Sequence, residues 1–467
     1  MTTESSFVRV LGRRDVLTLA FGAMIGWSWI VLTAEWIGRA GWLGAAGAFV
    51  IGGAAMIFIG LTYAELAAAM PEAGGEHVYS LRALGPGWSF VCTWALLLAY
   101  VSVAAFEAVA LPTAVAYLVP GIRQFPLWTI GGWQVYATEI AIGVGAAFVI
   151  TLINLFGVRL AAAVQTIVTV VILFAGILLA SGALFSPLQA VELPRFVDGA
   201  TGMLGVLVMV PMMFVGFDVI PQSAEEIDLP LRQIGVLLIA AVVLAIGWYV
   251  LVIVAVAFTL DADGLANASL ATADAGASGW SSPWVGKLVV LAGIAGILSS
   301  WNAFVVGGSR AIYALAHSAM LPPLFARLHR RHRTPYAAVL LIGVLAAMAP
   351  FFGRTTMVWF VDAGSFAVVI AYLFVAISFL VLRRHEPDMP RPYRVRSGQV
   401  VGVAATVLCV LLALLYLPWS PVALVWPYEW AMVLGWAALG GLFWVASGVR
   451  ARRFGGSSRT QKDVSDL

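Results

Sequence analysis

Three carboxylic acids stand inside long apolar runs of this chain: Glu107 in VSVAAFEAVALP, Asp218 in VGFDVIPQ and Asp362 in VWFVDAGSF. A carboxylate at the centre of a lipid-crossing helix costs roughly 2.5–3.5 kcal/mol. Each therefore calls for a proton, a cation or a polar neighbour, and all three are candidates for carrying a coupling proton. Glu107 and Asp218 are also candidates for contact with a cationic ligand. The blander readings are a hydrogen bond between helices for Glu107 and an N-terminal helix cap for Asp218.

Glycines sit where a spanning helix least needs them. Gly22 and Gly26 fall in FGAMIGWSWI (21–30), while Pro211 and Gly216 precede Asp218 in VMVPMMFVGFDVIPQSAEE (208–226). Interior glycine costs about 1 kcal/mol against alanine. Where a helix unwinds inside lipid, its freed amide groups are tolerated only if they are buried in protein or line a cavity. There the amide end draws anions and the carbonyl end draws cations. Gly22, Ala23, Ile25, Gly26, Trp27 and Ser28 at the first break are thus candidate binding residues. Phe214, Val215, Gly216, Phe217 and Asp218 are the candidates at the second. The competing reading of Gly22 and Gly26, four apart, is close packing of small residues between helices. Trp301 is a candidate aromatic gate, because an indole face near a buried acid attracts ammonium groups.

Enzyme chemistry is not expected. The five histidines (His77, His317, His329, His332 and His385) lie at or near the ends of runs, and GEH (75–77) lacks metal-ligand spacing. A channel would need a continuous polar lining that the runs do not supply.

The elements that position these residues are helices. Of 467 residues 62% are hydrophobic and 10% charged, and the mean hydropathy is +0.98. Soluble domains carry about 25% charged residues, so this is a membrane chain. Twelve apolar runs are long enough to cross a bilayer as helices: about 15–38, 42–66, 88–118, 136–157, 160–184, 200–224, 232–259, 284–313, 335–352, 356–382, 399–417 and 426–448. A polar start followed by so long a run does not read as a cleavable signal peptide. Cys92 and Cys409 both fall within runs, so no disulfide framework is implied.

With the N-terminus inside, 21 Lys and Arg fall on the inner side and five on the outer: Arg39, Arg123, Arg195, Lys287 and Arg354. That bias places both termini in the cytoplasm. It also explains the net charge of +3 without nucleic acid. The basic inner loops 328–333 and 382–396 read as ordinary, with anionic lipid as the alternative. Residues 261–283 read as a solvated outer loop, and the tail after Arg453 as a disordered one. Interrupted runs five apart, the first and the sixth, point to an inverted-repeat transporter.

The chain also resembles the amino acid–polyamine–organocation (APC) superfamily of secondary transporters. The resemblance is carried by GAMIG (22–26), YAELAAAMPEAGGEHVYSLRALG (63–85), INLFGVRLAAAVQ (153–165), VGFDVIPQSAEEIDLP (215–230), SSWNAFVVGGSRAIYALAHSAMLPP (299–323) and RPYRV (391–395). It implies an all-α, LeuT-like membrane fold. Residues 1–14 would be a cytoplasmic segment and 15–382 a five-plus-five inverted-repeat core, its halves about 15–184 and 200–382. An inner loop and two peripheral helices would follow at 383–448, and a cytoplasmic tail at 449–467. It implies alternating access in a plasma (inner) membrane, with an amino acid or small organic amine held at the two breaks. The first break would receive a carboxylate, and carbonyls of the sixth run the amine.

The same resemblance suggests sodium ligands at Gly22, Ile25, Ser299 and Ser300, with a proton as the alternative coupling ion. No cofactor and no obligate protein partner are implied, and lipid is the surrounding partner. Two departures stand out. The family's Gly-small-Gly loop is replaced by Gly26-Trp27-Ser28-Trp29, and Ile172 stands where some members carry a lysine seven residues after the glutamine, here Gln165. Narrowing by indoles beside buried acids favours an amine, as in a uniporter or exchanger of polyamine-like or ethanolamine-like cations, over an ordinary α-amino acid. A sensor built on a transporter fold is the remaining alternative.

Overall fold

The computed structural model describes residues 11–26, 28–72, 74–156, 159–186, 193–222 and 224–454, with side chains left out at 159–165 and 448–454. Trp27, the side chain of Gln165 and the tail from residue 455 lie outside the described residues. The apolar runs are helices because only an internally bonded backbone satisfies its amides in lipid.

The first half contains α1 (Arg13–Ile25), α2 (Ser28–Val31), α3 (Thr33–Ala69), α4 (Glu76–Leu84), α5 (Pro86–Leu118), α6 (Ala137–Phe156) and α7 (Arg159–Leu184). The second contains α8 (Gly199–Leu207), α9 (Val210–Phe214), α10 (Val219–Gln222), α11 (Leu231–Ala257), α12 (Ala262–Asn267), α13 (Ala271–Gly279), α14 (Pro283–His317), α15 (Tyr336–Met348), α16 (Thr356–His385), α17 (Gly398–Leu415) and α18 (Tyr428–Phe454). Among the described residues ten helical stretches are long and apolar enough to cross a membrane. The two expected runs not among them are the first, broken after Ile25, and the ninth, a shorter helix continued by a 3₁₀ turn at Ala349–Phe352.

The 37-residue α3 joins the end of the first run to the second. It bends at Gly41, whose φ of +74° and ψ of 164° leave the helical region. A side chain there would strike the Arg195 backbone at 2.6 Å. The corner is stitched to the segment before α8: Trp42 N–H donates to Pro194 O (3.1 Å) and Val197 N–H to Ala40 O (3.0 Å). α1 lies against α7, α11 and α14, while α5 packs on α14 and α16. α17 and α18 pack outside, on α16.

Two expectations need amending. The fold is not purely helical: Pro126–Ile130 (β1) and Trp133–Tyr136 (β2) form an antiparallel hairpin. Its turn is Gly131–Gly132, with φ of +56° and +80°, the geometry that a two-residue hairpin turn demands. Nor is 261–283 merely a solvated loop. α13 is largely buried, and Thr272 Oγ1 donates to Trp29 O at 2.7 Å, so this helix caps α2.

The motifs of the inner loops are held by ion pairs. Glu65, at the end of α3, receives Arg383 (2.5 Å), Arg391 (3.1 Å) and the Val395 N–H (2.8 Å), which accounts for RPYRV. Arg310 on α14 pairs with Glu226 at 2.5 Å, both side chains buried. Glu35 and Glu139 are paired in turn with Arg39 and Arg123, as their places near helix ends suggest.

His77 locks α4 in place. Its Nε2 lies 2.7 Å from Ser318 Oγ and its Nδ1 3.0 Å from Ser89 Oγ. Burial pushes its pKa down to about 4. The unfolded chain takes up this proton near pH 6.5 and the folded one resists, so stability is intact above about 6.5 and is lost as pH falls toward 4. The thermal midpoint of the wild type should therefore fall faster between pH 6.5 and 4 than that of His77→Asn. Parallel curves would refute this.

Candidate functional site

Both predicted interruptions are present. α1 stops at Ile25, and the next described helix starts at Ser28. α9 stops at Phe214, followed by Val215 in an extended conformation (ψ 129°) and Gly216 at φ +136°. That φ is open to glycine and closed to side-chain-bearing residues. A Cβ on Gly216 would also lie 2.8 Å from Ala23 Cβ and from Met24 N. The two breaks therefore abut, backbone against backbone.

Gly26 is glycine for a different reason. Its φ of −63° is ordinary helix, but a Cβ would meet Ser300 Cβ at 2.4 Å and Gly296 O at 2.7 Å. The small-residue reading and the break reading thus hold together at this position. Ser300 in turn donates its hydroxyl to Glu107 Oε1, while Glu107 Oε2 is buried without a hydrogen-bond partner among the described residues. Gly26, Ser300 and Glu107 form one group. Ser299 is buried beside them in sequence on α14. Ile172 is buried and approaches the Gly26–Gly296 crossing, so an apolar side chain fills the neighbourhood where a lysine was looked for.

The freed carbonyls converge on a residue that sequence reasoning missed. Tyr249 on α11 places its hydroxyl 2.6 Å from Met24 O and 2.9 Å from Met213 O, with Ser28 Oγ at 3.0 Å. One phenolic proton serves the two carbonyl ends, and the Ser28 hydroxyl donates back to the phenolic oxygen. The ring is held by stacking on Phe49 (4.6 Å) and by edges from Trp36 and Phe214. A tyrosine in the middle of AIGWYVLVIV was the available signal, because a hydroxyl at that depth needs a partner.

Asp218 sits just past the second break. Oδ1 accepts the Gly216 N–H at 2.8 Å and Oδ2 the Tyr372 hydroxyl at 3.2 Å, so Asp218 holds a freed amide of the break on its N-terminal side rather than the first amides of α10. Phe217 packs edge-on to Tyr63 and against Tyr372. Below it lies a second missed acid, Glu76 of α4, which accepts from Gln222 Nε2. Burial, and then the facing Asp218 carboxylate, raise the Glu76 carboxyl well above the ordinary range.

Two sequence candidates lie elsewhere. Trp301 packs in a separate apolar cluster with Ala104, Ala108 and Ile150. One residue beyond Ser300 turns it about 100° around the helix, away from the breaks. Asp362 belongs with Arg39, Glu35 and Glu429, and Trp27 lies outside the described residues. Gly22, Ala23 and Ile25 are buried on α1.

The sequence profile of the amino acid permease family matches residues 11–448. The chain is 24% identical over 436 residues to the branched-chain amino acid permease BcaP of Bacillus subtilis (strain 168), covering 91% of each. It is 28% identical over 402 residues to cationic amino acid transporter 4 of Homo sapiens, covering 83% of this chain and 62% of the relative, so it spans less than two thirds of that protein. It is 25% identical over 419 residues to the aspartate-proton symporter of Bacillus subtilis (strain 168), covering 86% and 78%.

Removing the bridging hydroxyl by Tyr249→Phe strands a buried carbonyl, which costs about 1–3 kcal/mol. The thermal midpoint in detergent should drop accordingly. Gly216→Ala should drop it further, since clash adds to backbone strain of about 1–3 kcal/mol. Unchanged midpoints in both would mean that the breaks are not held as described.

Proposed function

This chain belongs to the amino acid permease family, multi-pass membrane transporters and not enzymes, and from that premise we propose that it moves an amino acid across the plasma membrane by alternating access, binding it where α1 and α9 break. The observation that carries the reading is the convergence of Met24 O and Met213 O on one hydroxyl. Carbonyl ends so placed are acceptors awaiting a donor, and a substrate ammonium offers three N–H groups where Tyr249 offers one O–H. Transport then consists of exchanging the tyrosine for the substrate and moving the two broken helices relative to their supports.

The full proposal has twelve crossings, with the broken first run and the short ninth run added to the ten long helices, and a five-plus-five repeat within 15–382. Both termini lie in the cytoplasm. The support for orientation is the arginine bias, and for the repeat the matching breaks in the first and sixth runs.

The ionisable groups flanking the breaks, Glu107 and Asp218, are acids. An amine-bearing substrate suits them, and the sequence Gly26-Trp27-Ser28-Trp29 in place of Gly-small-Gly favours an amine over a carboxylate. The relatives include carriers named for branched-chain, cationic and acidic amino acids, so the side-chain class is read from the site: a cationic amino acid or amine. For coupling, a proton is favoured over sodium at Gly22, Ile25, Ser299 and Ser300, because the Ser300 hydroxyl is turned toward Glu107.

Proteoliposomes loaded with buffer and offered labelled leucine, arginine, aspartate and putrescine test the proposal. Uptake of arginine or putrescine is expected, slowed by collapsing the pH gradient and indifferent to replacing sodium with potassium. Glu107→Gln and Asp218→Asn should each cut it by at least about tenfold, the scale of one charge-assisted hydrogen bond. Uptake of leucine or aspartate alone would overturn the amine preference, and normal rates in both variants would remove the acids from the site.

A further inference from the structure

The four charged residues Glu35, Arg39, Asp362 and Glu429 are brought together by α3, α16 and α18. Arg39, Asp362 and Glu429 border a cavity of about 460 Å³ whose walls also include Val208, Trp359 and Val422. Small-molecule sites typically occupy about 300–1,000 Å³, so the space suits an amino acid. Its mouth is formed by the 421–425 loop, in which Pro421 and Val425 are exposed, while both acids are buried, Asp362 at 8% exposure and Glu429 at 1%.

Charge in this cavity is unbalanced. Arg39 is committed to Glu35 at 2.5 Å. Glu429 Oε2 accepts the Val425 N–H at 2.6 Å, but among the described residues its Oε1 finds no hydrogen-bond partner, and neither does Asp362 Oδ1. Two carboxylates in the wall, Asp362 and Glu429, thus stand with one guanidinium that is already paired with Glu35. Arg354, close enough to Glu35 and Glu139 to feel both charges, lies over the Trp133 ring. Buried carboxylate oxygens left without donors are costly, so they call for an occupant. The floor leads toward the breaks: Val208 O, in the wall, accepts from Ser365 Oγ (2.7 Å) and Tyr416 OH (2.6 Å), and Ser365 Oγ accepts from Met212 N at 3.2 Å. Met212 is the neighbour of Met213, whose carbonyl meets Tyr249.

We propose that this cavity is a second binding site, in which Asp362 and Glu429 hold the ammonium group of a small organic molecule before it reaches the helix breaks. Arg39 stands at the wall where the carboxylate of an amino acid would meet it, and Trp359, stacked on Tyr428 at 4.2 Å, supplies an apolar side. The inference rests on the transport reading for its place on a path, but not for its binding chemistry. That separation decides the experiment.

Ethylammonium chloride and L-arginine are titrated calorimetrically into the purified full chain, with potassium chloride holding ionic strength constant. Both should bind, and binding should persist in Asp218→Asn. Asp362→Asn and Glu429→Gln should each weaken it by about tenfold, as expected for the loss of a charge-assisted hydrogen bond. Val422→Trp, which fills the cavity without touching a charge, should abolish the binding that persists in Asp218→Asn, while the thermal midpoint confirms folding. In arginine uptake, Asp362→Asn should raise KM by a similar factor and leave Vmax within about twofold, as for a docking step that precedes translocation. Unchanged affinity in Asp362→Asn, Glu429→Gln and Val422→Trp overturns the proposal, as does sodium competing as well as ethylammonium, which would make this an inorganic cation site. Intact binding in a wild type that takes up no amino acid or amine would sink the transport reading and spare this one.

Discussion

A backbone interrupted inside lipid must find partners for the amide groups it frees, and in this protein one tyrosine hydroxyl meets that demand for two helices at once. Water can satisfy a broken helix on a protein surface; in the bundle interior only another protein group or a ligand can. Tyr249 does so for Met24 and Met213 together. Its ring is pinned by Phe49, Trp36 and Phe214, so the hydroxyl is delivered to one place. Much of the surrounding architecture follows from keeping the breaks in contact. Gly216 is bare because Ala23 and Met24 lie against it, and Gly26 is bare because Ser300 and Gly296 do.

The distribution of charge separates scaffold from site. Toward the ends of the helices carboxylates are matched by arginines: Glu65 with Arg383 and Arg391, Glu226 with Arg310, Glu139 with Arg123. Those pairs tie loops to helices and join the two halves. At the breaks the acids are held by neutral donors instead, Glu107 by Ser300 and Asp218 by Gly216 and Tyr372. A carboxylate bound by hydroxyls and amides keeps its affinity for a cation or proton, whereas one clamped by arginine has spent it. Buried acids without basic partners recur where the substrate is proposed to travel.

The breaks were legible because they are written locally. Gly22–Gly26 and Pro211–Gly216–Asp218 interrupt apolar runs, and no distant residue is needed to notice them. The corner at Gly41 fell inside the predicted gap between the first two runs for the same reason. What partners the breaks was not legible. Tyr249 lies more than 200 positions from Met24, and only tertiary packing brings it there. Glu76 was hidden by lying outside any apolar run, although it is fully buried beneath Asp218. The attraction of an indole face for ammonium made Trp301 a gate candidate, but side-chain chemistry does not say which face of α14 carries it, and it packs in the cluster of Ala104, Ala108 and Ile150. In 261–283, alanine-rich and weakly polar, burial of α13 depends on α7, α11 and α14, which the segment itself does not encode. The Gly131–Gly132 turn did signal a hairpin, but an apolar membrane chain directs attention to helices.

The central claim is that the convergent carbonyls are where substrate binds and that Tyr249 keeps the place until it arrives. A structure of the protein saturated with the amino acid or amine it transports tests this most directly. The account predicts the ligand's amino group within hydrogen-bond distance of Met24 O and Met213 O, with the Tyr249 hydroxyl displaced from at least one of them. A bound substrate that leaves both carbonyls on Tyr249 and occupies some other part of the bundle would contradict it.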